Sequence, residues 1–285
     1  MKDKIFRLLL FFAAFIILLL SAGIIYALVS RSTDAFMEYG IFGFITNPEW
    51  DPRPATEEYG AMSFIIGTLY TAFLALFFCF PFSLAVALFN GEYFKGKKIS
   101  SVVRSVVDLL AGIPSIVYGL WGFYAVRPII IEMGLNAQGF GIFLSAVVLA
   151  IMIIPYASSL STEFISMVPN NLKEGAYSLG ATQIEMVRHI SLPTATSGIA
   201  ASYILALGRA LGETMAVTML IGNTDRIPSG IRDTGNTMAS VIANQFGEAD
   251  GVKLSSLIAI GLLLFIITAL INLIAKLVMK RLVRA

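Results

Sequence analysis

Residues 169–193 read Pro169-Asn170-Asn171-Leu172-Lys173-Glu174-Gly175-Ala176-Tyr177-Ser178-Leu179-Gly180-Ala181-Thr182-Gln183-Ile184-Glu185-Met186-Val187-Arg188-His189-Ile190-Ser191-Leu192-Pro193. This stretch departs from the apolar pattern on either side, where Phe140–Ser161 and Ser197–Gly222 are each long enough to cross a bilayer. Pro169-Asn170-Asn171 supplies a helix start, Leu172–Leu179 a first short helix and Gly180 a break. Thr182–Ile190 then predicts a second helix, with Pro193 ending it. Ile184, Val187 and Ile190 recur every three residues and line one face. Two short helices meeting at a glycine make a compact knob. Apolar side chains on such a knob call for a partner, or for a bilayer surface against which an amphipathic hairpin could lie.

Composition extends this reading to the whole chain. It is 57% hydrophobic and 13% charged, far from the balance of a soluble domain. Runs of about 20 apolar residues mark six candidate spans: Leu8–Val29, Met62–Phe89, Val106–Val126, Phe140–Ser161, Ser197–Gly222 and Leu254–Val278. None alternates apolar and polar residues as a barrel strand would, so the expected fold is an all-α polytopic membrane protein with six transmembrane helices. Lys2, Lys4 and Arg7 precede the first run as in a secretory signal, but the run continues to Val29 and is read as an uncleaved span.

Charge orients the bundle. The termini, residues 90–105 and residues 162–196 together hold 13 Lys/Arg and 5 Asp/Glu, against 6 and 11 on the opposite side. The positive-inside rule therefore predicts that both termini are cytoplasmic. Topology explains the basic residues, and no nucleic-acid partner is needed. Cys79 is alone in the second span and reads as a small buried hydrophobe. His189 is also alone, no phosphate-cradling loop or nucleophile elbow is present, and neither a metal nor a cofactor is expected.

Proline and glycine interrupt the apolar runs. Pro81 is expected to break the second helix, and Gly112 with Pro114 the third; Gly112, Gly119 and Gly122 would let helices approach closely. The loop at about residues 30–61 is long and aromatic around Trp50-Asp51-Pro52 and Pro54, and suits either contact with an external protein or a passive solvated hairpin. In the second outer loop, 223–253, Met238–Ala243 reads as a short interfacial helix. The chain divides into 1–61, the first helix and its outer loop, and 62–285, a transmembrane unit with cytoplasmic helices at about 164–195.

Two charges lie inside the fifth run, in Gly208-Arg209-Ala210-Leu211-Gly212-Glu213-Thr214. A four-residue spacing puts Arg209 and Glu213 one turn apart on the same helix face. Each charge near mid-bilayer costs on the order of 3 kcal/mol. Two readings follow. The residues form a buried ion pair that fixes helix orientation, or Arg209 attracts an oxyanion along a hydrated path while Glu213 holds it and weakens its grip.

The spacing Glu174-Gly175-Ala176, three residues, Gly180, nine residues, Ile190, one residue, Leu192-Pro193 resembles the EAA signature of importer-type ABC permeases. Gly175 stands where that family usually has Ala. Further stretches, Leu110–Gly122, Leu207–Gly222, Trp50-Asp51-Pro52 and Gly67-Thr68, resemble PstC-type permeases of phosphate-specific uptake systems. The resemblance implies a type I, MetI-like importer fold in a bacterial or archaeal plasma membrane. It implies a PstA-type second permease, two copies of a cytoplasmic ATPase and an extracytoplasmic phosphate-binding protein as partners. By the same likeness Glu174, Gly175, Ala176, Gly180, Ile190, Leu192 and Pro193 couple to the ATPase, while Arg209 and Glu213 line the substrate path. The chain itself would be a non-catalytic translocation subunit moving phosphate by alternating access. A permease for another oxyanion such as molybdate or sulfate shares the signature, and a channel or scaffold that uses no ATP is the reading from a different class.

Overall fold

The computed structural model describes the backbone of residues 2–53 and 55–282; Pro54, named above, and Arg284, one of the 13 Lys/Arg counted above, lie outside the described residues. In chain order the helices are α1 (Lys2–Arg31), α2 (Thr33–Tyr39), α3 (Ile41–Thr46), α4 (Met62–Leu88), α5 (Lys98–Ala111), α6 (Ser115–Trp121), α7 (Arg127–Glu132), α8 (Ile142–Ser166), α9 (Asn170–Ser178), α10 (Gln183–Met186), α11 (Leu192–Leu211), α12 (Met215–Leu220), α13 (Met238–Gln245) and α14 (Gly251–Leu282). A two-residue antiparallel hairpin pairs β1 (Trp50–Asp51) with β2 (Glu58–Tyr59). Among the described residues five helices are long and apolar enough to cross a membrane, and a sixth span forms if one bent pair counts as a single crossing. The all-α, membrane-spanning fold class expected from the apolar runs is what the chain adopts.

The third and fifth spans differ from the expectation, for a local reason in each case. The third is an elbow: Lys98–Ala111 and Ser115–Glu132 meet at 94°. Pro114 has no N–H to continue the helix and disfavours helical backbone in Ile113 before it. The elbow strands carbonyls that a lipid environment cannot satisfy. Two tyrosine hydroxyls donate there instead, Tyr118 to the Leu110 carbonyl at 2.8 Å and Tyr156 of α8 to that of Ala111 at 3.3 Å. The fifth span is not continuous either. α11 ends at Leu211, Gly212 to Thr214 leave the helix, and α12 restarts at Met215.

Two prolines expected to interrupt helices do not. α4 runs through Pro81. Ser83 donates to the Cys79 carbonyl at 2.8 Å and Tyr203 to that of Phe80 at 3.2 Å, adding bonds beside the amide that proline removes. Pro193 likewise falls in the first turn of α11, which continues from Gln183 through a wide π-turn at Val187–Ser191. The extra residue of that turn precedes the point where proline forfeits a bond, so the helix absorbs the loss.

The main core centres on α8, which packs on α4 and α11 and buries Leu144, Leu149, Met152 and Ile153. Gly119 on α6 is where a close approach is required: a Cβ there would sit 2.8 Å from the Met219 sulfur and 3.2 Å from the Ala216 Cα of α12. A second core gathers Phe44, Trp50, Tyr59 and Phe64 with Met238, Val241 and Ile260. The 30–61 loop is therefore a packed element and not a solvated hairpin. Trp50 donates from Nε1 to Gln245 at 3.0 Å across that core. Met238–Ala243 forms a helix as expected, but its first four residues are buried, so it is part of this second core and not an interfacial helix. α1 lies on the outside of the bundle with its apolar side chains exposed. Ser255 of α14 ties its end to the bundle, donating to the Arg31 carbonyl at 2.8 Å and accepting from the Ala35 N–H at 3.1 Å.

Candidate functional site

Arg209 stands in the last turn of α11, beside the break, and is half-buried. Its guanidinium lies over the ring of Tyr156 with Cζ 4.2 Å from the centroid, a cation–π stack. Tyr156 is one of the two tyrosines that donate at the elbow of the third span, so the cation, α8 and the elbow are joined through one side chain. The Nε of Arg209 is buried and has no hydrogen-bond partner among the described residues. A buried guanidinium donor without a partner is costly, and arginine's fork of donors is suited to anionic oxygens.

Glu213 is not the partner of Arg209. Among the described residues the ion pairs are Arg53–Asp51 and Lys173–Glu92. Glu213 lies past the end of α11, and its Oε1 accepts from the Ala216 N–H at 3.3 Å, capping the first turn of α12. The same-face expectation fails because it assumed an unbroken helix across Gly212. Both residues do reach the break in the fifth span, where the backbone itself is polar.

A polar cleft of about 780 Å³ lies between α5 and α8, its lining continuing one turn beyond Tyr156 along α8. Ser158, Ser159 and Thr162 line it from α8, and Asp108, Arg104 and Lys97 from the α5 side. Hydroxyls and mixed charge suit an ion that has to pass and not stay.

Residues 170–191 fold as a helix–turn–helix. α9 carries Glu174, Gly175 and Ala176, with Glu174 and Gly175 exposed. Gly180 adopts φ +86°, left-handed backbone that an L side chain resists, and so redirects the chain. Thr182 caps α10 reciprocally with Glu185 in a capping box. Bonds from the Thr182 backbone N–H and hydroxyl hold the Glu185 carboxyl below its usual range. Leu179 and Ile184 are 92% and 69% exposed on either side of the turn, whereas Val187 and Met186 are buried. The face predicted for Ile184, Val187 and Ile190 is thus divided: the tip presents apolar atoms outward and the base packs inward. Ile190 is half-buried at that base, Leu192 packs against the main core, and Pro193 is exposed in the first turn of α11.

Sequence reasoning missed Glu92 and Lys173. Lys173 Nζ lies 2.6 Å from Glu92 Oε2, with side chains only 10% and 7% exposed. The residues are 81 positions apart, and no local pattern announces the pair. Tyr156 and Tyr118 were equally hidden, as aromatics within apolar runs.

A family model described as "Binding-protein-dependent transport system inner membrane component" matches residues 79–285. The chain belongs to that family. This inner membrane component is 39% identical to the "Phosphate transport system permease protein PstC" of Mesorhizobium japonicum, over 99% of the chain and 91% of the relative. It is 38% identical to the protein of the same name from Haemophilus influenzae, over 94% and 90%. Among solved structures, a chain of a bacterial alginate ABC transporter, in complex with an alginate pentasaccharide-bound periplasmic protein, superposes with TM-score 0.68 at 20% identity, covering 98% of this chain and 96% of that one. A chain of the inward-facing MetNI methionine ABC transporter superposes with TM-score 0.61 at 21% identity, covering 77% and 96%. At that identity the likeness shows a shared fold.

Proposed function

We propose that the chain is the membrane-spanning permease subunit of an ATP-driven importer that carries inorganic phosphate across the inner membrane. The observation that carries this reading is the 39% identity to a phosphate transport permease along 99% of the chain. The Arg209 site supplies chemistry in keeping with it: a fixed guanidinium with a free donor, held beside a helix break where backbone groups are also available. Phosphate oxygens match the fork of donors that arginine presents.

In this reading both termini and residues 162–196 face the cytoplasm, and residues 1–61 form an accessory helix and outer loop on a translocating unit of 62–285. The chain is a translocation subunit; ATP hydrolysis belongs to a partner. It pairs with a PstA-type second permease and two copies of a cytoplasmic ATPase, and an extracytoplasmic phosphate-binding protein delivers the ion. The exposed tip around Leu179 and Ile184, with Glu174 beside it, is the surface the ATPase grips. Its motion opens the path alternately to either side. Arg209 holds the incoming ion, Tyr156 holds Arg209, and the cleft between α5 and α8 lets the ion leave. Glu213 acts at the break, by shaping the start of α12, and not through a bond to Arg209.

Uptake of labelled phosphate, in cells lacking the chain and in cells with it restored, tests the reading. Competing sulfate and molybdate test the choice of ion. Restoration that phosphate alone competes away is the expected result; competition by molybdate or sulfate at equal concentration assigns another oxyanion.

A further inference from the structure

One carboxylate oxygen closes the base of the coupling segment. Glu92 Oε2 accepts from Lys173 Nζ at 2.6 Å and from Ser191 Oγ at 3.1 Å. Lys173 precedes Glu174 on α9, and Ser191 immediately precedes α11. One donor sits in the first helix and the other just before α11, so they hold the turn and its tip between them, and both are fastened to the end of the second span. Lys173 and Ser191 are buried, and the Glu92 side chain is 7% exposed.

Backbone geometry marks the same place. Glu92 lies in a π-turn at Phe89–Tyr93, and Ser191 in the π-turn at Val187–Ser191. A π-turn inserts one residue and rotates the side chains that follow, and such turns recur at functional positions. A buried ion pair is a poor device for stability alone, since well-packed apolar residues serve as well. What it adds here is direction. A short, charge-assisted bond on one side and a hydroxyl bond on the other fix the position of both ends of the segment against α4.

We propose that Glu92, Lys173 and Ser191 form the joint that transmits ATPase motion from the coupling segment into the second and fifth spans, with Glu92 and Ser191 acting as positioning residues. This rests on reading residues 170–191 as the ATPase dock. With both ends held by one atom, displacement of the exposed tip cannot be lost by sliding at the base; it moves α4 and α11 together. Arg209, at the far end of α11, moves with them. Coupling of this kind travels through contiguous packed and hydrogen-bonded groups.

The test is made on the assembled transporter in liposomes, with its ATPase, second permease and binding protein. ATPase retention, ATP hydrolysis and phosphate imported per ATP are measured together. Glu92→Gln should keep the ATPase bound and hydrolysing while phosphate per ATP falls by about tenfold, within the usual range of coupling between sites. Ser191→Ala, which leaves the ion pair intact and threatens the fold least, should show a smaller fall. The double variant Glu92→Leu/Lys173→Met removes both charges and keeps volume; it should assemble yet remain uncoupled. Normal phosphate per ATP in Ser191→Ala and in the double variant overturns the proposal, as does loss of the ATPase from Ser191→Ala. Glu174→Lys separates the two readings. If it releases the ATPase while Ser191→Ala stays fully coupled, the joint alone is wrong; if the ATPase stays bound to Glu174→Lys, the docking assignment is wrong and the joint falls with it.

Discussion

Arg209 lies over the ring of Tyr156, Cζ 4.2 Å from its centroid, and the hydroxyl of the same tyrosine satisfies the Ala111 carbonyl at the elbow of the third span. A charge in lipid is thus held by an aromatic face and not by a carboxylate. Stacking of a desolvated cation on an aromatic ring contributes about 2 kcal/mol.

That arrangement separates two roles of Tyr156. Tyr156→Phe keeps the aromatic face and loses one hydrogen bond worth about 1 kcal/mol, so phosphate uptake should persist with a modest loss of thermal stability. Tyr156→Leu removes the face and should depress uptake strongly while the complex still assembles. Initial uptake rates and thermal unfolding in detergent, measured on the same preparations, check both.

Arg209→Ala should abolish uptake and leave insertion and assembly intact, because no buried carboxylate is orphaned by its removal. For the same reason Glu213→Gln should leave assembly near normal and weaken only the cap on α12, a loss of about 1 kcal/mol. Copurification of the subunits and uptake rates decide this. A collapse of assembly in Arg209→Ala would restore the ion-pair reading.

Gly180→Trp and Glu174→Lys should each strip the ATPase from the purified complex. Gly180 at φ +86° also makes Gly180→Ala informative, since a left-handed L residue costs about 1–2 kcal/mol. A partial loss of ATPase in that variant, read by quantifying subunits after purification, is expected.

Gly119 tests the contact between the third and fifth spans. Alanine gains about 1 kcal/mol of helix propensity, against a Cβ 3.2 Å from the Ala216 Cα and 2.8 Å from the Met219 sulfur, and comes out near neutral only if the flexible Met219 side chain shifts. Gly119→Leu has no room and should cost about 1–3 kcal/mol, seen as a lower unfolding temperature in detergent.

Asp225, in the loop between α12 and α13, gives a pH dependence. Burial raises its carboxyl above the ordinary value of 3.8, against the opposing bond from Asn236 at 2.9 Å. The folded state therefore binds the proton more tightly than the unfolded chain does. Stability is fullest below the ordinary carboxyl pKa and declines as pH rises through the raised value. Asp225→Asn should be more stable than the parent at neutral pH, and the advantage should shrink as the medium is acidified. Unfolding temperatures across that range provide the measurement.

Membrane spans were legible because about 20 apolar residues have few other uses, and the glycine turn at Gly180 because a left-handed residue has a compositional signature. The break after Leu211 was not, since Gly212-Glu213-Thr214 looks no less helical in isolation than Gly208-Arg209-Ala210. Tertiary contacts decide such breaks, and one sequence records none of them. Pro81 and Pro193 misled for the opposite reason: their local rule is sound, but hydroxyls and a π-turn from the fold override it. Glu92 with Lys173 was invisible because neither residue is unusual where it stands.

Trp50 reaches Gln245 through a single indole N–H, and its ring fills the core shared by the loops before α4 and α14. Weight placed on either loop is shared by the other, so that face behaves as a plate and resists being pried open. In the alternating-access reading proposed above, rocking of the helices beneath it finds its slack toward the end where the chain turns at Gly180.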